Sequence, residues 1–205
     1  MIIKMLQVAA VALSITAVAA HADTIDFSQF GPDGTTSASP LVGTTTMGDT
    51  VTLTSPNGSF LRLTEGTTWH GIFPLTAPIL FDGSGPGAIT LTFANPITSL
   101  VLAGQSNAYG AYTETAVAYD GLTIVDTVSA SSFNHVNDMY PFYTGTVPFL
   151  TLTGAHITSV VWSATNDGVG LALYGGAGVT VPEPAALTLF GLGLVGIAAA
   201  RRRTR

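Results

Sequence analysis

The pattern that most restricts this chain is a period of two. Ile89, Leu91 and Phe93 alternate with Thr90 and Thr92, Leu150 and Leu152 with Thr151 and Thr153, and Val51 and Leu53 with Thr50, Thr52 and Thr54. Successive side chains of a strand point to opposite faces, so each run sets apolar groups on one side and hydroxyls on the other. A helical stripe needs a period of 3.6, and no stretch from Asp23 to about Val179 carries one. Further runs rich in β-branched and aromatic residues predict strands at Thr24–Phe27, Ser59–Leu63, Ile97–Ala103, Thr115–Tyr119, Leu122–Val128, Ile157–Ser163 and Val169–Tyr174. Asp120-Gly121 reads as a tight hairpin and Ser55-Pro56-Asn57-Gly58 as a turn. Gly34–Thr46, rich in Ser, Thr and Gly, is expected to be a long surface loop, and Gly175–Thr180 a flexible linker. Many short strands with Gly, Pro and Asn between them predict an all-β fold over residues 23–178, an antiparallel β-sandwich or jelly roll.

Charge sets the second limit. Charged residues are 9% of the 205, and hydrophobic residues 47%, whereas a soluble domain ordinarily has about 25% charged. The six basic residues are Lys4, Arg62, Arg201, Arg202, Arg203 and Arg205. Only Arg62 lies between the ends, while all twelve acidic residues fall from Asp23 to Glu183. Phosphate binding needs clustered cations, so nucleic acid is excluded as a partner of the middle. The chain has no cysteine, which removes disulfides, thiolate metal sites and a cysteine nucleophile.

The two ends are of another kind. Lys4 precedes an apolar run from Met5 to Ala20, and Ala20-His21-Ala22 follows. A basic start, an apolar stretch and a small-x-small site make a secretory signal peptide over 1–22, cut after Ala22; an uncleaved N-terminal anchor is the alternative. Export would then engage the Sec translocon and signal peptidase. At the far end, Val181-Pro182-Glu183-Pro184 leads into an apolar run from Ala185 to Ala200, and Arg201, Arg202, Arg203 and Arg205 close the chain. As a helix that run is about 24 Å long, a short span of a bilayer core of about 30 Å that snorkelling arginines can complete. The arginines belong on the cytoplasmic side. Pro182 and Pro184 lack an N–H and bias the residue before each toward extended backbone, which presents Glu183 in a form a processing enzyme can bind. A plain C-terminal anchor is the alternative reading.

This tail, residues 179–205, resembles the PEP-CTERM sorting signal. The resemblance implies recognition by exosortase, cleavage near Pro182-Glu183-Pro184, passage through an inner-membrane-anchored intermediate, and delivery to the cell surface or beyond in a bacterium that makes exopolysaccharide. The middle, from about Gly66 to Leu173, resembles secreted discoidin-like or galactose-binding-like β-sandwiches. Ile89–Ile97, Val117–Leu122, Ile157–Trp162 and Val169–Leu173 carry that likeness, and Leu173-Tyr174 stands where such domains have an Asp pair.

No catalytic constellation emerges. His70, His135 and His156 lie on separate segments without the spacing of a zinc site, which needs three or four converging ligands. Gly104-Gln105-Ser106-Asn107-Ala108 lacks the last glycine of a nucleophile elbow. Two facing carboxylates would suffice for a glycosidase, but Asp82, Glu114, Asp120, Asp126, Asp138 and Asp167 single out no pair. Calcium could be held by oxygens around Asp23 to Asp33 or at Asn166-Asp167 as a structural ion. Sugar binding has candidates in two aromatic, amide-bearing stretches: Asn107 with Tyr109 and Tyr112, and Ser132–Tyr143 with Tyr140 and Tyr143. The competing reading of these rings is that they close the ends of the core. The expectation is a non-enzymatic surface or matrix protein, with a carbohydrate-binding module for exopolysaccharide as the alternative and an extracellular hydrolase a further one.

Overall fold

The computed structural model describes residues 23–83, 85–134, 147–166, 168 and 170–175. Among these are ten strands: β1 (Thr36–Ala38), β2 (Leu41–Thr44), β3 (Thr50–Thr54), β4 (Ser59–Thr64), β5 (Pro78–Phe81), β6 (Ile89–Ser106), β7 (Gly110–Asp120), β8 (Thr123–Asn134), β9 (Leu150–Ala164) and β10 (Leu171–Tyr174). The fold is all-β, and every pairing between these strands is antiparallel. The strands run β1-β4-β5-β10-β6-β9-β7-β8, and β3 joins β2 to the first half of β6, on the edge that the second half of β6 gives to β10.

Two long strands hold this together. The first half of β6 pairs with β3 and with the end of β9, with Leu91 facing Leu53 and Val160. Its second half pairs with β10 and with the start of β9, with Leu102 facing Leu150. The register shifts between Thr92 and Ser99, where Ala94-Asn95-Pro96 is exposed. Proline donates nothing to a ladder and is tolerated at such a bulge, and a bulge bends the strand that carries it. One continuous core results, with Ile89, Leu91, Leu100, Leu102, Leu150, Leu152, Val160 and Trp162 all essentially inaccessible to solvent.

The period-two runs over 50–54, 89–93 and 150–153 are strands, and both tryptophans are in the core, Trp162 wholly. Ser55–Gly58 is a turn, with Gly58 N–H donating to Ser55 O and a φ of 79° that glycine adopts without strain. The hairpin after Asp120 turns on Gly121 and Leu122. Some expectations fail. Thr24–Phe27 is not a strand; Asp23 and Ile25 make single bridges, and Phe27–Phe30 is a 3-10 helix capped by Asp26, whose carboxylate accepts from Ser28 N–H. Asp at such a cap satisfies a donor the helix cannot, which outweighs the strand preference of its neighbours. Gly34–Thr46 is not a loop, since it contains β1 and β2. The expected signal peptide, the expected linker beyond Gly175 and the C-terminal membrane helix lie outside the described residues; Gly175 itself accepts from Ile25 N–H at 3.2 Å. Among the described residues no helix is long and apolar enough to cross a membrane.

Candidate functional site

Of the sequence-predicted sites, the sorting residues Pro182, Glu183 and Pro184, the arginines 201–203 and 205, the cleavage residues Ala20 and Ala22, and Tyr140 and Tyr143 all lie outside the described residues. Tyr109 and Tyr112 lie within, and they part company. Tyr112 is in the core at 2% exposure, and its hydroxyl donates to Gly104 O at 3.0 Å. An inward position on β7 explains this, because Tyr112, Glu114, Ala116 and Ala118 share the buried face. Tyr112 therefore packs and offers no face to a sugar. Tyr109, in the β6–β7 turn, is half exposed. Its ring meets Phe133 edge-on, with centroids 5.4 Å apart and planes at 89°. Asn166 Nδ2 donates to Tyr109 O at 3.3 Å, and Ser106 Oγ donates to Asn166 O. Thus Tyr109 and the start of the 132–143 stretch, distant in sequence, meet at one end of the sheet beside Asn107 and Asn166.

Of the candidate carboxylates, Asp138 and Asp167 lie outside the described residues, and those within are mostly spent on the fold. Asp82, fully buried, accepts from Leu171 N–H at 2.7 Å and from Asn57 Nδ2 at 3.2 Å, tying β10 to the turn after β3. Asp126 accepts from Thr127 N–H and Thr153 N–H, each at 2.8 Å. Asp23 accepts from Thr24 N–H, Met47 N–H and Thr46 Oγ1. Asp33 takes a bond from Thr68 Oγ1 at 2.6 Å and lies 3.9 Å from Arg62. Arg62 in turn donates to Leu63 O and Thr64 Oγ1. His70 and His156 are exposed and on different segments, and His135 lies outside the described residues. No group of three His, Asp or Glu among the described residues is placed to hold a metal ion.

Two acids are buried on either side of the second half of β6: Glu114, one of the candidate carboxylates, and Glu65, which no sequence pattern marked. Glu114 is wholly buried; one oxygen accepts from Trp162 Nε1 at 3.2 Å, and the other has no partner among the described residues. Gly104 sits beneath them, where a Cβ would come within 2.8 Å of the Trp162 ring and 2.9 Å of Glu114 Oε2. Desolvation pushes Glu114 up from 4.5 to about 8, against the opposing pull of the Trp162 and Gly104 hydrogen bonds. On the other face, Gln105 Oε1 accepts from Ile72 N–H at 3.0 Å, and Glu65 accepts from Gly71 N–H at 3.0 Å. Burial lifts Glu65 to about 7, opposed by the N–H groups of Gly71, Phe73 and Gly66. Glu114 was legible in principle, since counting by twos from the apolar positions of β7 places it inward. Glu65 carries no such signal, because the loop that covers it has no period.

A family model described as the PEP-CTERM protein-sorting motif matches residues 180–203. No curated protein and no solved structure matches the chain. The match indicates an exported protein, transiently anchored in the membrane and sorted through exosortase.

Proposed function

We propose that this chain is a cell-surface or extracellular-matrix protein, whose cargo is a non-enzymatic structural β-sandwich of jelly-roll type delivered by two successive addresses. The first is removed after Ala22. The second holds Pro182-Glu183-Pro184 outside the membrane, by a short apolar helix and four arginines, until exosortase acts. The observation that carries this reading is the sorting motif at residues 180–203 behind an all-β body. The carboxylates of Asp82, Asp126, Glu65 and Glu114 give it support, because they are bound to that body's own donors and so are committed to holding it. Replacing Pro182-Glu183-Pro184 by three alanines tests it. A membrane-bound, unprocessed form should accumulate, seen by fractionation and intact mass; mature protein of unchanged mass at the surface would refute the reading.

A carbohydrate-binding role is the second reading, favoured by the exposed Tyr109–Phe133 pair beside Asn107 and Asn166. Exposed ring faces flanked by amides suit stacking on sugars. Affinity electrophoresis on exopolysaccharide from the producing cells separates the two: retardation lost in Tyr109→Ala supports binding, and no retardation of the parent protein sinks it.

A further inference from the structure

The ends of the strand path are where a sheet protein is vulnerable, since an edge strand presents unpaired N–H and C=O groups to any other chain. Among the described residues there are three such ends, β1, β2 and β8. Two are blunted. β1 has three residues and runs into Ser39-Pro40. β2 has four residues, and its last one is clamped by a side chain: Thr44 N–H donates to Gln29 Oε1 at 2.7 Å, while Gln29 Nε2 donates to Thr44 O at 2.8 Å. An amide there occupies the bonds another strand would seek.

The third end is blunted only at its start, where Val125 bulges between the Asp126–Ala118 and Ile124–Tyr119 pairs and Asp126 turns to Thr153 N–H; from Thr127 to Ser132 no such device stands among the described residues. β8 runs for 12 residues, about 40 Å of strand. It contains no Lys, Arg, Pro or Gly, and its one charge, Asp126, is already engaged by Thr127 and Thr153 N–H groups. β7 covers one edge of it throughout. Its exposed face reads Thr127, Ser129, Ser131, Phe133. The first hydroxyls beyond Thr127 already pair across to β7, Ser131 with Thr113 at 2.8 Å and Ser129 with Thr115 at 2.9 Å.

We propose that β8 pairs antiparallel with β8 of a second copy of this chain, about a twofold axis at Ser129. A second copy is the occupant that the sequence of the strand fits. Turned about Ser129, the hydroxyl positions Thr127, Ser129 and Ser131 fall on Ser131, Ser129 and Thr127, so the hydroxyl ladder between β7 and β8 continues across the axis. The same turn sets Asp126 opposite Ser132 and keeps the two Asp126 carboxylates from facing each other. Charge points the same way. Two copies of a body with Arg62 as the one cation among eleven acids repel over most of their surface, and a strip with one internally bonded carboxylate is where they can meet. Twofold pairing of identical edges is self-complementary and closes at two, so it yields a dimer and not a fibre.

The chain has no cysteine, so Ser129→Cys introduces a single thiol. Directly opposed residues of antiparallel strands have Cα atoms about 4.5 to 5.5 Å apart, within disulfide reach. In the full chain in detergent, mild oxidation should convert Ser129→Cys to a disulfide-linked dimer and leave Thr54→Cys, on the exposed side of β3, monomeric. Ser129→Lys, which sets two like charges together on the axis, should lose the dimer in sedimentation equilibrium while keeping the parent near-UV circular dichroism. Equal cross-linking of both cysteine variants, a dimer indifferent to Ser129→Lys, or a parent chain monomeric at every concentration would each overturn the proposal. The last result is also the one expected if another part of the chain covers the β8 edge.

Discussion

Glu114→Gln isolates the energetic consequence of burying an acid without a cation. In the native protein burial holds this carboxyl at about 8, against 4.5 for the free group. The unfolded chain therefore releases its proton first, and between these values the native state binds more protons than the unfolded one. Stability must then fall as pH rises. The full contribution is present below pH 4.5 and has been lost once the pH passes about 8. At about 1.4 kcal/mol per unit, the whole loss is about 5 kcal/mol, a large share of the roughly 5 to 15 kcal/mol that holds a domain folded.

Glutamine has nearly the same shape, and its carbonyl can take the Trp162 Nε1 hydrogen that Glu114 Oε2 takes now. It carries no titrating proton. The unfolding midpoint in urea, followed by the fluorescence of the two buried tryptophans, should thus be similar in parent and variant at pH 4.5. The variant should gain steadily on the parent to about pH 8 and hold a constant advantage beyond. Glu65, raised to about 7 by its own burial, adds a pH dependence common to both proteins, which the difference between them cancels. Parallel curves for parent and Glu114→Gln across the whole range would refute the reasoning.

Three smaller perturbations probe the same packing. Gly104→Ala sets a methyl 2.8 Å from the Trp162 ring and 2.9 Å from Glu114 Oε2 and should cost about 1 to 3 kcal/mol of overpacking in urea unfolding; unchanged stability would mean that the tryptophan yields. Asp82→Ala strands the buried Leu171 N–H that the carboxylate now accepts at 2.7 Å, for a loss of about 2 to 3 kcal/mol and faster amide exchange at Leu171. Gln29→Ala should leave stability within about 1 kcal/mol yet speed exchange at Thr44, because its effect is confined to the clamped end of β2.

Where the sequence spoke clearly, one face of a strand was buried and the other was not. Trp162, Leu91 and Leu152 could be assigned to the core from parity alone, and the strands that contain them follow. The misses have a different physical origin. Pro78-Ile-Leu-Phe81 has no alternation to detect, because β5 lies between β4 and β10 and buries both Ile79 and Leu80. β1 and β2 are short edge strands with mostly exposed side chains, so their Ser, Thr and Gly read as loop, and only backbone pairing to β4 and β3 reveals them. Asn95-Pro96 looks like a break between two strands and is a bulge within one, a distinction set by β9 running past both halves. Tyr109 and Phe133 come together through the β7–β8 pairing, with Gly110 opposite Asn134, a register that neither stretch contains by itself.

Salt supplies a last test that joins charge to assembly. Arg62 is the one basic side chain between Asp23 and Glu183, and it is turned to Leu63 O, Thr64 Oγ1 and the vicinity of Asp33. The body thus presents carboxylates with no free cation among its described residues to answer them, and two copies approaching along β8 bring like charge together. At low ionic strength that repulsion reaches about 30 Å, and near 0.1 M salt about 10 Å. The strands themselves are joined by backbone bonds and hydroxyls, which salt screens little. Raising sodium chloride from about 0.01 M to about 0.1 M should therefore tighten the dimer, with sedimentation equilibrium at fixed pH as the assay. An interface built on ion pairs would respond with the opposite sign. A dimer that loosens as salt is added would show that its contacts lie elsewhere than on this nearly uncharged edge.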